Sequence, residues 1–301
     1  MATSPPGLTV MRTLSGLLAL LIAAPAMAQP AAPVVTAPPA VYATDPFYAR
    51  YVDAGGIPIL SSTRTPDRAL LLAREIVLSM LAKRPDIAAE LRREGLRVAI
   101  MAADESTLDI PEQRDWKKPA IDDPRLTRCE RKHYPERIGR LTDRQYWDYR
   151  ARGMGGLLTS AAAENLLAGP NDRYHGQNTF VHEFSHAIFR AAARIDPAFF
   201  RRVEKAYFHA RETGLWKDEY ASTTIEEYWA VGTQFWFNSA PLASFGAVRV
   251  LSDADLKAYD PRLHAVLAEV YAGHQAAGDL FWQHPDRVPK GPIPEYTAEV
   301  C

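Results

Sequence analysis

The stretch His182-Glu183-Phe184-Ser185-His186 lies inside a run, 178–194, whose apolar positions recur at helical spacing, and its reading decides the rest of the chain. Residues four apart on an α-helix stand one above the other, about 6 Å along the axis. His182 and His186 can therefore aim two imidazole nitrogens at one metal ion about 2.0–2.1 Å from each. Glu183 sits one step round the helix, beside the ion rather than on it. From there its carboxylate can take the proton of a water that the ion activates. Phe180, Phe184, Ile188 and Ala191 give the same run an apolar stripe, so the pattern predicts a core helix that turns its histidine face to a cleft.

The pentapeptide matches the H-E-x-x-H pattern of zinc hydrolases. A catalytic zinc needs a third protein ligand and an open fourth position. The metzincin arrangement places Gly and then His three and six residues after the second His. This chain has Phe189 and Ala192 there, which excludes it. The thermolysin-like alternative takes a Glu from a following helix, and the candidates are Glu204, Glu212, Glu219, Glu226 and Glu227. Glu227 is the best of them: with Ala230, Val231 and Gln234 it shares a helical face that is otherwise small or apolar. A carboxylate on such a face, packed against the histidine helix, has to be paired or metal-bound. Glu226 points about 100° away, toward solvent.

The segment Tyr220-Ala221-Ser222-Thr223-Thr224-Ile225-Glu226-Glu227-Tyr228-Trp229-Ala230-Val231 then resembles the Tyr-Ala, five residues, Glu-aromatic-aromatic-Ala segment that follows H-E-F-x-H in the gluzincin peptidases related to anthrax lethal factor and to the Mlc titration factor peptidases. The resemblance covers residues 176–238, and 155–178 is similar to the lead-in of secreted proteins that carry a lethal-factor-like catalytic domain. It implies a zincin-like metallopeptidase domain with one Zn2+ held by His182, His186 and Glu227. Glu183 would be the general base, and Tyr220 would lie over the metal with its hydroxyl ready to stabilise an oxyanion. Val231 stands where the toxin's pattern has a second Glu, so the resemblance implies no second carboxylate there.

Outward from this region, Thr65-Pro66-Asp67 supplies a helix start, and Leu70, Leu71, Ile76, Val77, Met80 and Leu81 recur at helical spacing behind it. Pro85-Asp86 opens a second helix through Arg93, Gly95 ends it, and 96–101 reads as a core strand. A helix over 143–152, a Gly-rich turn over 153–156 and a short strand over 157–159 come next. By analogy with other zinc peptidases, that last strand would pair with substrate backbone. Helices over 197–211, 224–238 and 261–274 complete an α+β chain with a small sheet and a largely helical C-terminal half. Tyr228, Trp229, Phe235, Trp236 and Phe237 read as core. Asn178 is placed to cap the histidine helix or to orient a ligand. His133, His175, His209, His264 and His274 read as structural or surface residues.

Of the 301 residues, 47 % are hydrophobic and 24 % charged, with 35 Lys+Arg against 36 Asp+Glu, which is the make-up of a globular protein. The densest basic stretch, 125–140, carries Glu130 and Glu136 and lacks interleaved aromatics, which argues against a nucleic-acid partner. Arg12, the apolar run 14–25 and Ala26-Met27-Ala28 before Gln29 follow the order of a secretory signal peptide over 1–28, with Met11 an alternative start. The run is too short for a membrane span of about 20 residues. A Pro/Ala-rich spacer over 29–46 leads into a single domain over 47–301, expected in the periplasm or outside the cell. An oxidising compartment permits a Cys129–Cys301 disulfide. The expected partner is a peptide or protein substrate, and the sequence sets no oligomeric state. Two other readings share these residues. One is a non-catalytic extracytoplasmic binding domain with a structural zinc and four protein ligands; the other is a zinc hydrolase acting on a non-peptide substrate.

Overall fold

A computed structural model of the protein describes residues 32–174 and 176–271, the pieces 273–274, 287–293 and 298, and residues 1 and 3. Apart from those last two residues, the expected signal peptide lies outside the described residues, as do His175 and Cys301 and with it the expected Cys129–Cys301 pairing. In its described part the spacer pairs with the fold near its start and then turns at Pro39, whose carbonyl accepts from the Tyr42 and Ala43 N–H groups. The backbone groups of Thr36 and Tyr51 exchange hydrogen bonds of 2.9 and 2.8 Å.

The architecture is α+β. Four strands form a sheet in the order β1 (Arg50–Asp53), β2 (Pro58–Ser61), β3 (Arg97–Met101) and β4 (Leu158–Ala162). β1 is antiparallel to β2, whereas β2, β3 and β4 run parallel. A parallel neighbour needs a crossover, and α1 (Asp67–Leu81) with α2 (Pro85–Arg93) supplies it between β2 and β3. Leu70, Ile76, Val77 and Met80 of α1 are buried, as their spacing requires, while Leu71 is only half-buried.

Between β3 and β4 the chain makes a long excursion over 102–157. It holds α3 (Arg128–Lys132), a π-helical turn (Pro135–Gly139) and α4 (Asp143–Arg150) around a small cluster of Leu126, Ile138 and Tyr146. Thr127 and Thr142 each close a capping box at the start of α3 and α4. Cys129 is buried in α3. Arg152 fastens the far end: its guanidinium donates to Glu164 (2.8 Å), to the Ala102 carbonyl (3.2 Å) and to the Glu105 carbonyl.

The rest is helical: α5 (Ala163–Leu166), α6 (Thr179–Ile195), α7 (Pro197–Glu212), α8 (Ile225–Trp236), a hairpin of β5 (Ala243–Phe245) and β6 (Val248–Val250), α9 (Asp253–Tyr259) and α10 (Pro261–Tyr271). α6 and α8 pack on each other at the centre. Phe180, Phe184, Ile188 and Ala191 of α6 are all fully buried, and each large apolar side chain so buried contributes about 1.5–3 kcal/mol. From α8, the Trp229 indole N–H donates to the Ser185 carbonyl (3.1 Å). Gly232 lets α10 approach closely, since a Cβ there would meet Leu263 at 2.7 Å. Among the described residues no helix is long and apolar enough to cross a membrane.

One expectation about the sheet needs correction. The last strand begins one residue later than expected and runs three further, and its outer edge is not free. Met154 and Ser160 exchange backbone hydrogen bonds of 3.2 and 2.9 Å in an antiparallel bridge. The Gly-rich segment, not β4, therefore forms the margin of the sheet. With Met154 turned toward β4, the backbone groups of Gly153 and Gly155 point the opposite way.

Candidate metal centre

The N-terminus of α6 is set by side chains rather than by α6 alone. The Asn178 side chain accepts from the Val181 N–H (3.2 Å), as expected of a cap. Buried Asn165 accepts from both the backbone and the hydroxyl of Thr179 (2.8 Å each) and donates to Asp172 and to the Gln177 carbonyl (2.9 Å each). At the start of α8 the Thr224 hydroxyl accepts from the Glu227 N–H (3.1 Å), which fixes the first turn that carries this carboxylate.

With the two helices so placed, His182, His186 and Glu227 each offer one ligand atom, and the three atoms lie within 4.8 Å of one another. Glu227 Oε2 is 2.9 Å from His182 Nε2 and 3.7 Å from His186 Nε2. Of the competing carboxylates, Glu226 is exposed, Glu204 and Glu212 sit on α7, and Glu219 lines the neighbouring cavity; none of the four joins the cluster. Val231 is half-buried in the cavity wall.

Gln234 decides the protonation of this cluster. Its amide nitrogen donates to the Asn178 carbonyl (3.0 Å), which leaves its oxygen 3.0 Å from His182 Nδ1. Nδ1 must then carry the hydrogen, and Nε2 presents a lone pair to a carboxylate oxygen. Two acceptors 2.9 Å apart need either an extra proton or a cation. Where no cation is held, the proton takes this place. Burial opposes charge on His182, but the hydrogen bond it donates to Glu227 and the charges of Glu183 and Glu227 outweigh it and raise its pKa. Burial, aided by the His182 charge, pushes His186 down to about 4, so its ring is neutral. For Glu227, burial is outweighed by the His182 hydrogen bond and the nearby histidine charges, and its pKa is lowered. Two imidazoles and an anionic carboxylate on one point form a donor set that suits a divalent cation such as zinc. An amide at position 234 that serves two partners was not expected from the sequence. The available signal was its place seven residues after Glu227 on the same helical stripe. Gln234→Leu is expected to lower zinc affinity about 10–100-fold, read by competition with a chromophoric chelator.

Glu183 lies beside the cluster, outside it. Burial raises its pKa, with the Glu227 charge adding to the effect; His182, the Gly155 N–H and Arg150 oppose it. The Tyr220 hydroxyl, in a 3₁₀ turn over Tyr220–Ser222, donates to Glu227 Oε1 (2.9 Å), and its ring faces that of His182 at 6.2 Å. The Gly-rich margin passes close by. A Cβ on Gly153 would meet the Ser160 carbonyl at 2.9 Å, and one on Gly155 would meet the Cβ and Cδ2 of His186 at 3.0 Å. Gly155→Ala is therefore expected to cost about 1–3 kcal/mol, seen as a lower melting temperature.

Gly153, His182, Glu183, His186, Tyr220, Glu227 and Gln234 line one cavity of about 790 Å³, within the size range of small-molecule and peptide sites. Tyr228, Trp229, Trp236 and Phe237 are buried in the core as expected; Phe235 is buried too, yet it also reaches the cavity wall. Away from the site, His264 pairs with Asp253 (3.0 Å) and His274 with the Ser79 hydroxyl (2.8 Å), in structural roles.

No protein-family model matches the chain, and no curated protein does. Among solved structures it is similar to the Pro-Pro endopeptidase PPEP-2 from Paenibacillus alvei, at 17 % identity and a TM-score of 0.41, over 66 % of this chain and 91 % of that one.

Proposed function

We propose that this chain is an exported zinc-dependent peptidase of the gluzincin type, with Glu183 as its general base. The observation that carries the reading is the convergence of three ligand atoms, with no fourth among the described residues, on the wall of a cavity that also holds the carboxylate of Glu183 outside the cluster. A structural zinc would have four protein ligands. The signal pattern over 1–28 supports export to the periplasm or beyond.

His182, His186 and Glu227 would hold the ion. When bound, zinc supplies Lewis acidity, bringing the pKa of water down toward about 7. Glu183, its pKa raised by burial, accepts the proton of the attacking water and returns it to the leaving amine as the C–N bond breaks. Tyr220 would donate a hydrogen bond from its hydroxyl to the carbonyl oxygen as negative charge builds there, keeping its proton; in the resting arrangement that hydrogen bond goes to Glu227. The outward backbone groups of Gly153 are placed to pair with an extended substrate, the role expected at first of the strand behind them, while the Gly155 N–H is held by Glu183.

The test is cleavage of a mixed peptide library. Zinc-replete protein should cut it, a chelator should stop cleavage, and added zinc should restore it. A library left intact by zinc-replete protein overturns the reading.

A further inference from the structure

We propose that Arg150 selects substrates that carry a carboxylate near the bond to be cut, either an acidic side chain or a free C-terminus. The inference rests on the peptidase reading above and adds the substrate class to it. α4 turns one face to the cavity, with Tyr146, Trp147 and Arg150 all in its wall. Their spacing puts them side by side on the helix. Tyr146 is buried, and Trp147 packs on Trp116 with ring centroids 4.9 Å apart, so the base of this face is fixed while the arginine stands exposed at the last turn.

Three arginines line the cavity, and two are already engaged. Arg125 is held by Asp123 through bonds of 3.0 and 2.7 Å, and Arg152 by Glu164. Arg150 has no ion-pair partner among the described residues; the Tyr146 hydroxyl and the charge of Glu130 act on it instead. The lining carboxylates nearest in the chain and in the site have their own partners: Glu130 closes the capping box of α3, and Glu227 is shared by His182 and Tyr220. Arg150 lines the same cavity as Tyr220 and Glu183 and its charge acts on both, so a substrate that fills this cavity meets its guanidinium. A planar fork of donors, charged at every working pH and partly enclosed, matches a carboxylate through paired hydrogen bonds. A role in oxyanion stabilisation would instead act on every substrate alike, and the test separates the two.

Zinc-loaded E183Q protein would be titrated, by fluorescence anisotropy, with two paired peptide libraries. In one pair Glu is replaced by Gln at each position; in the other the C-terminus is free or amidated. One carboxylate set should bind at least about tenfold more tightly than its neutral twin, and which set does so names the source of the carboxylate. Arg150→Gln should bring that set down to the level of its twin, and Arg150→Lys should keep part of the preference. Equal binding of both twins, a preference that survives Arg150→Gln, or an equal proportional loss on both twins would each overturn the proposal. Binding to E183Q needs no turnover, so failure here is distinct from failure of the peptidase reading, which shows as an uncut library with the wild-type protein.

Discussion

Glu183→Gln is expected to lower kcat/KM for peptide hydrolysis by about 10³-fold while one zinc ion stays bound per chain. The magnitude follows from the usual contribution of a positioned general base, about 10²–10⁴-fold. Retention of metal follows from geometry, since Glu183 is not among the three converging atoms. The substitution keeps the side chain's volume and its capacity to accept from the Gly155 N–H, so it removes a proton acceptor and little else. Initial rates on the best-cleaved library peptide, with the zinc-to-protein ratio of the same sample, check both halves. Unchanged turnover would sink the assignment of the base, and lost metal would show that Glu183 is itself a ligand.

Glu227→Ala is expected to weaken zinc binding by well over 100-fold, more than the loss of an outer partner such as Gln234 costs. Glu227 is the anionic member of the set and the one that joins α8 to the two imidazoles, and it is fastened by Tyr220 and by the Thr224 cap. Removing it leaves His182 and His186 as a two-ligand site. Dialysis against a graded chelator series, with metal content measured at each step, reads the change. Peptide cleavage should vanish at zinc concentrations that saturate the parent and return only at much higher ones. Glu226→Ala, one residue away and exposed, should leave zinc affinity unchanged, which guards against a general effect on α8.

Much of the centre was legible because helical periodicity is local. A four-residue spacing placed His182 over His186, a shared face picked Glu227 over Glu226, and Asn178 announced its cap. Features that depend on pairing between distant segments were harder to see. β1 and β2 are four residues each, the second opening on Pro58, and they gain their strand character from one another and from β3. The Ala-rich end of β4 has helical propensity that the ladder to β3 overrides. α3 is a short piece held by its capping box, and the β5–β6 hairpin is only three residues a side. Gln234 is an unremarkable polar residue until α8 lies against α6, when both ends of its amide find partners. The Gly153–Gly155 margin read as a turn because glycines usually mark one; here they are required by a backbone that runs within contact of His186.

The excursion over 102–157 is sewn at both ends into neighbouring parallel strands, and Arg152 ties its far end to the segment where it departs. Such an attachment makes it an interchangeable roof. Its length and side chains can change while the two-helix floor that carries His182, His186 and Glu227 stays put, so what the cavity admits can be altered apart from the cluster beneath it.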